Sequence, residues 1–125
     1  MIETLLAAVR AGDQDTVSAL LDAGGDVNAP APDGSVARPL HVAAAAGDLG
    51  MCDLLIDYGA LLDTRQADGA TALHLAAAIG AERIVDLFRN GAVDGTIADN
   101  EGHTAADYAE RAGFGALAHR LRWGG

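Results

Sequence analysis

The chain has 125 residues, half of them apolar but only five aromatic, so it suits one compact domain or a short repeat array whose core is built largely from alanine. Its formal net charge is −10, with ten Asp/Glu against two Arg in residues 1–63 and eight against six in residues 64–125. Such a field repels phosphate backbones and anionic membrane surfaces, which argues against nucleic-acid and membrane partners and leaves basic ones open.

In chain order, the first pattern is LLAAVRAGDQDTVSALLDAGGDVNA, Leu5 to Ala29. An Ala-rich helix stops at Gly12, a second helix is expected over Thr16–Ala23, and Gly24 ends it. The next stretch, DGSVARPLHVAAAAG (Asp33–Gly47), recurs as DGATALHLAAAIG (Asp68–Gly80), and the first copy is two residues longer at its front. His41, His74 and Asp107 step by 33, as do Gly47, Gly80 and Gly113, whereas Gly34, Gly69 and Gly102 step by 35 and then 33. Second helices are expected over Gly50–Tyr58, Ala81–Asn90 and Phe114–Arg122, with Gly59 and Gly91 as stops. The third unit reads as one residue short near Phe88–Gly91, so its second helix is expected to end early or irregularly. Four units follow, over residues 1–30, 31–65, 66–98 and 99–125, each a turn and two helices that must stack on a neighbour to bury their apolar sides.

At the start of the Ala-rich helices, Thr71 and Thr104 offer hydroxyl caps, and Asp107 stands three residues after Thr104 at capping-box spacing. Arg38 replaces that Thr in the second unit, although Pro39 suits the first helical position. His41 and His74 share one slot in successive units and read as locks between units, not as metal ligands, since no partner ligand stands at i,i+4. Cys52 is alone and lies in an apolar stretch, as a buried inert thiol does. Many Asp residues fall in turns, where local backbone bonding is their ordinary use. No phosphate loop, nucleophile elbow or Ser–His–Asp order is present, so no catalytic residue, metal or cofactor is expected.

RPLHVAAAAGDLGMCDLLIDYGA, GATALHLAAAIGAERIVDLFRNGA and GHTAADYAERAGFGALAHRL, with LLDAGGDVNA near the N-terminus, together resemble the ankyrin repeat over essentially the whole chain. The resemblance implies an all-α solenoid of four helix-turn-helix units with β-hairpin-like fingers. It also implies partner binding at the fingertips and at the two residues before each helix-ending Gly. On these positions the expected partner-binding set is Asp33, Ser35, Val36, Ala37 and Arg38 on the first finger; Asp68 and Ala70 on the second; Glu101 and His103 on the third; and Ala45, Ala46, Ala78, Ile79 and Arg111 on the trough. The longer first finger, placed by the sequence in Ser35–Arg38, is expected to choose the partner, because surface loops are cheap to lengthen and carry function.

The function expected is a non-catalytic protein-interaction module with a protein partner. Absence of lysine and abundance of Ala, Gly, Arg and Asp point to a GC-rich bacterial source, and a chain that reads as repeat throughout is expected to be a helper or inhibitor of a cognate enzyme. The alternative is a small-molecule binder or atypical enzyme on the same scaffold, with Arg38, His41, His74, His103 and Tyr108 around its site. No basic-then-apolar leader and no run of about 18 apolar residues occurs, so a monomeric cytoplasmic protein is expected.

Overall fold

The computed structural model describes residues 2–123, with side chains described from Thr4 onward; the outermost residues of the first and last expected units, Met1 and Gly124–Gly125, lie outside the described residues. Among the described residues, eight helices alternate in two rows. The inner row is α1 (Ile2–Ala11), α3 (Pro39–Ala45), α5 (Ala72–Ala78) and α7 (Ala105–Arg111). The outer row is α2 (Gln14–Asp22), α4 (Leu49–Asp57), α6 (Glu82–Asn90) and α8 (Gly115–Trp123). Inner helices touch their inner neighbours far more extensively than outer helices touch theirs. The stack therefore bends, with its inner row on the concave side. This is the all-α repeat solenoid that the sequence implies.

The reason for the close inner row is side-chain size. Ala8, Ala43, Ala76 and Ala109 fall at one repeat position and are all buried. A methyl group there lets neighbouring helices approach, and any larger group overfills the joint. The outer row supplies the bulk of the core instead. Leu55 and Phe88 share one repeat position and Cys52 and Val85 another, all at 0% exposure, and Met51 and Ile84 form a third pair below 2%. Burying a side chain of this size is worth about 1.5–3 kcal/mol each. Cys52 has its thiol pushed up to about 12 by burial, consistent with a packing role.

Tight turns join the rows. Gly80, at φ +68, ends the α5 turn, and a Cβ there would meet the Phe114 ring at 2.7 Å. Both the backbone and the packing of the next unit thus demand glycine.

The third unit differs from expectation. α6 spans nine residues, as α4 does, so the helix does not end early. Gly91 is not its left-handed stop: Gly91 has φ −81, and Ala92 takes φ +61. The bonds explain the register. Ala92 N donates to Arg89 O and Val93 N to Phe88 O, matching Gly59 N to Ile56 O and Ala60 N to Leu55 O in the previous unit. No residue is lost; Gly91 stands where Tyr58 does and Ala92 where Gly59 does, so Ala92 carries the resulting strain. A Cβ on Gly91 would lie 2.6 Å from Leu62 Cδ1, so that side chain would have to turn aside.

Three fingers connect the units. Each is a tight hairpin closed by one backbone bond, Ala31 N to Ala37 O, Gln66 N to Ala70 O, and Asp99 N to His103 O, and no strand forms among the described residues. Successive fingers are tied at their tips, Ala67 N donating to Ser35 O and Asn100 N to Asp68 O. Ser35 is therefore the counterpart of Asp68, and Val36 that of Gly69. Val36 has φ +48 where Gly69 has +86 and Gly102 has +85. This corrects the placement of the two extra residues: they lie before Ser35, around Pro32–Gly34, and not within Ser35–Arg38.

Candidate protein-interaction surface

The helix starts decide what is free to bind. At α5, Thr71 N–H donates to His74 Nδ1 at 3.0 Å, and His74 Nε2 donates to His103 O at 2.9 Å. His41 repeats this, accepting from Arg38 N–H at 3.0 Å and donating to Ala70 O at 3.2 Å. With Nδ1 accepting, the proton sits on Nε2 of a neutral ring. Burial pushes both histidines below their ordinary value, opposed by the carbonyls they bond. Each ring thus joins the start of one inner helix to the finger of the following unit, and neither is available for catalysis or metal.

Unit four changes the chemistry of this slot. Asp107 accepts from Thr104 N–H and from Arg122, which also reaches Glu110, both at 2.8 Å. Arg120 pairs with Glu82 at 3.1 Å and Asp86 at 2.6 Å. Arg122 thus braces the last helix pair, and Arg120 ties the last helix to α6.

Arg38, expected as a partner contact, is held as a brace. Its side chain offers no acceptor for the α3 amides. Its guanidinium donates instead to Asn28 O at 3.2 Å, Val36 O at 2.6 Å and Arg65 O at 3.4 Å, joining three chain segments. Ala70 is also removed from the contact set: it is 0% exposed, and its carbonyl holds His41 and Gln66. A residue at a finger's return stroke faces the next inner helix, which the linear pattern does not reveal.

The remaining expected residues divide by exposure. Asp33, Val36, Asp68 and Glu101 are exposed on the fingertips, while Ser35 and Ala37 are half-buried. Asp33 accepts from the Ser35 amide and hydroxyl, which hold its carboxyl below the usual carboxylate range. Ala45, Ala46 and Arg111 are exposed, Ala78 is half-buried, and Ile79 is 45% exposed. His103 is half-buried rather than open: its Nδ1 is buried without a hydrogen-bond partner, 3.8 Å from Asp99 Oδ1.

One row was outside the expected partner-binding set, although the alternative reading named Tyr108. Val42, Leu75 and Tyr108 lie one helical turn before Ala45, Ala78 and Arg111 and are half-buried on the same inner helices. The 33-residue step and a three-residue shift would have found them. Tyr108 is the most elaborated of the three. Its ring packs edge-on against His74 at 4.8 Å, its hydroxyl donates to Asp99, and Arg111 lies 5.2 Å from its centroid. Burial, followed by the Asp99 bond, pushes the phenol well up, and the Tyr108 bond leads the causes that draw Asp99 down to about 2. An open recess of about 460 Å³ forms there, lined by Asp68, Asp99, Asn100, Glu101, His103, Tyr108 and Arg111. A second, of about 470 Å³, lies between the outer helices and is lined in part by Leu49, Asp53, Arg83 and Leu87. No group of three or more His, Cys, Asp or Glu able to hold a metal occurs among the described residues.

Comparison with known proteins agrees with this architecture. Residues 40–121 match the family model described as ankyrin repeats (3 copies), and residues 5–56 match that described as ankyrin repeats (many copies). The chain is 35% identical over 111 residues to ankyrin repeat domain-containing protein 37 of Mus musculus, covering 87% of this chain and 68% of that protein. It is 36% identical over 103 residues to neurogenic locus notch homolog protein 1 of Xenopus tropicalis, covering 82% of this chain but 4% of that one. It is 38% identical over 102 residues to a transient receptor potential cation channel subfamily A member 1 homolog of Caenorhabditis elegans, again 82% of this chain and 8% of the other. The chain thus spans a small fraction of the last two relatives and about two thirds of the first. Ankyrin repeats generally mediate protein–protein interaction, and no catalytic family is indicated. With four stacked helix pairs, histidine locks between units, fingers tied tip to tip and a family match across most of its length, the chain belongs to the ankyrin repeat family.

Proposed function

We propose that the chain is a non-catalytic interaction module whose protein partner lies across the fingertips and the exposed side of the inner helices. The observation that carries this is the pair of repeat positions Ala45–Ala78–Arg111 and Ala46–Ile79–Ala112. They lie at least partly open to solvent on consecutive inner helices and their ends, and the helix stack does not require them. An exposed apolar strip flanked by charged tips is the usual form of an interaction surface. The working partner is an enzyme that this chain helps or inhibits in a bacterial cytoplasm, with the chain acting as a monomer.

Site-specific photo-crosslinking in the native cell tests the surface. A crosslinker at Ile79 or Glu101 is expected to capture one partner, and a crosslinker at Asn90 on the outer row is expected to capture none. Capture from the outer row alone would overturn the assignment. Removing Pro32 and Asp33 gives the first finger the length of the second. Folding should be retained and partner affinity reduced; unchanged affinity would show that the longer finger does not select the partner.

A further inference from the structure

Open carboxylates beside the apolar strip point to the chemistry of the partner. On the surfaces of α6 and α7, Glu82, Asp86, Asp107 and Glu110 are each bonded to Arg120 or Arg122. At the fingertips, Asp33, Asp68 and Glu101 have no arginine within ion-pair distance. Arg38 is turned onto backbone carbonyls, and Arg10 reaches Asp33 only through its field. The open carboxylates therefore border the apolar strip on its finger side and leave it electrostatically unsatisfied.

The recess at the second and third fingers shows the same imbalance in a shaped form. Asp68, Asp99 and Glu101 face one arginine, Arg111, so carboxylates outnumber arginines three to one there. Its back wall is held rigid: Tyr108 is fixed by Asp99 at its hydroxyl and by His74 at its edge. Arg111 lies over the Tyr108 ring and is the recess's own cation, so an incoming cation must pair on the carboxylate side. The buried Nδ1 of His103, without a partner, adds a polar group to the same wall. Asp99 is engaged by Tyr108 and by the amides of Glu101 and His103. Asp68 uses one oxygen on the Ala70 amide, and Glu101 accepts no side-chain bond. Asp68 and Glu101 are consequently the carboxylates left to pair with an incoming cation.

We infer that the inner face docks a basic protein segment, with an apolar side chain on the Ala45–Ala46–Ile79 strip and an arginine in the recess beside Tyr108, paired with Asp68 and Glu101. This rests on the interaction-module reading and adds the partner's chemistry to it. Arg111 then faces the segment's main chain, where its donors meet carbonyl oxygens. An acidic segment is repelled by the fingertips, and a neutral one leaves two desolvated carboxylates unpaired.

The test uses the full chain, labelled for amide NMR, and two probes: the acetylated amide of the peptide Leu-Ala-Arg-Ala and the same peptide with citrulline, an uncharged isostere, for arginine. The arginine peptide is expected to shift the amides of Asp68 and Asn100–Tyr108 saturably, and the citrulline peptide to bind at least about ten-fold more weakly. The double variant Asp68→Asn, Glu101→Gln keeps the Asp68 turn acceptor and should lose the preference between peptides. Asp53→Asn, Asp57→Asn on α4 removes equal charge elsewhere and should keep it. Equal binding of the two peptides, no binding of either, or equal loss in both double variants would overturn the inference. A partner captured at Ile79 by crosslinking would leave the module reading standing in each of those cases, so the two failures are distinguishable.

Discussion

The joints between units and the fingertips obey different rules. At the joints the same chemistry returns at each step: alanine at Ala43, Ala76 and Ala109, a large apolar group at Leu55 and Phe88, and a ring bridging two units at His41 and His74. At the tips each finger is its own solution, with Asp33–Gly34 and Val36 on one, Asp68–Gly69 on the next and Glu101–Gly102 on the third. A joint must fit a neighbour built to the same plan, so departure there leaves a cavity or an orphaned polar group. A tip meets water and a partner, so its constraints come from outside the repeat. The expected effects of substitution differ accordingly.

The largest effect should come from breaking a joint on the outer row. Phe88→Ala removes a ring at 0% exposure and should cost about 3–5 kcal/mol in denaturant unfolding. A loss under about 1 kcal/mol would mean that the units do not depend on that joint. Next comes His74→Ala, which strands the buried Thr71 N–H and the His103 carbonyl, at about 1–3 kcal/mol per orphaned group. Thermal unfolding checks it, and His41→Ala should behave alike.

The same two rings make stability depend on pH. Their folded values lie below the ordinary 6.5, so below pH 6.5 the unfolded chain takes up protons that the folded chain does not. Stability is fully present above 6.5 and declines as the pH drops through the window between 6.5 and the lower folded values. Melting curves between about pH 7.5 and pH 5 measure this, and the decline should shrink in the His74→Ala background. A flat profile would remove the neutral-lock reading.

Smaller effects sit at the irregular turns. Ala92→Gly and Val36→Gly relieve left-handed strain at φ +61 and +48 and should each raise stability, by up to about 1–2 kcal/mol. A loss at either position would show that its side chain supplies a contact worth more than the strain. Smallest of all, deleting Pro32 and Asp33 should change stability by no more than about 0.5 kcal/mol, since the affected backbone is exposed.

Legibility followed the same division. The 33-residue step, the helix pairs and the structural use of His41 and His74 could be read directly, because each repeats and repetition is itself evidence. The extra residues of finger one were misplaced because Gly34 imitates Gly69 in composition, whereas bonding to Ala67 aligns Ser35 with Asp68. Gly91 misled in the same way, since glycine usually marks the left-handed stop and here alanine takes it. At the candidate surface, Ile79, Asp68 and Glu101 were legible as exposed; the burial of Ala70, the bracing by Arg38 and the Asp99 bond of Tyr108 were not, as they depend on what adjacent segments place against them.

By itself the order of residues determined the repeat, its helices and its apolar columns, because those depend on local propensity and on periodicity along one chain. Tertiary structure decided which carboxylates found an arginine, which residue accepted the strained turn and which finger side chains were consumed as braces. Those outcomes depend on distances between units about 33 residues apart, and such distances exist only once the stack has closed.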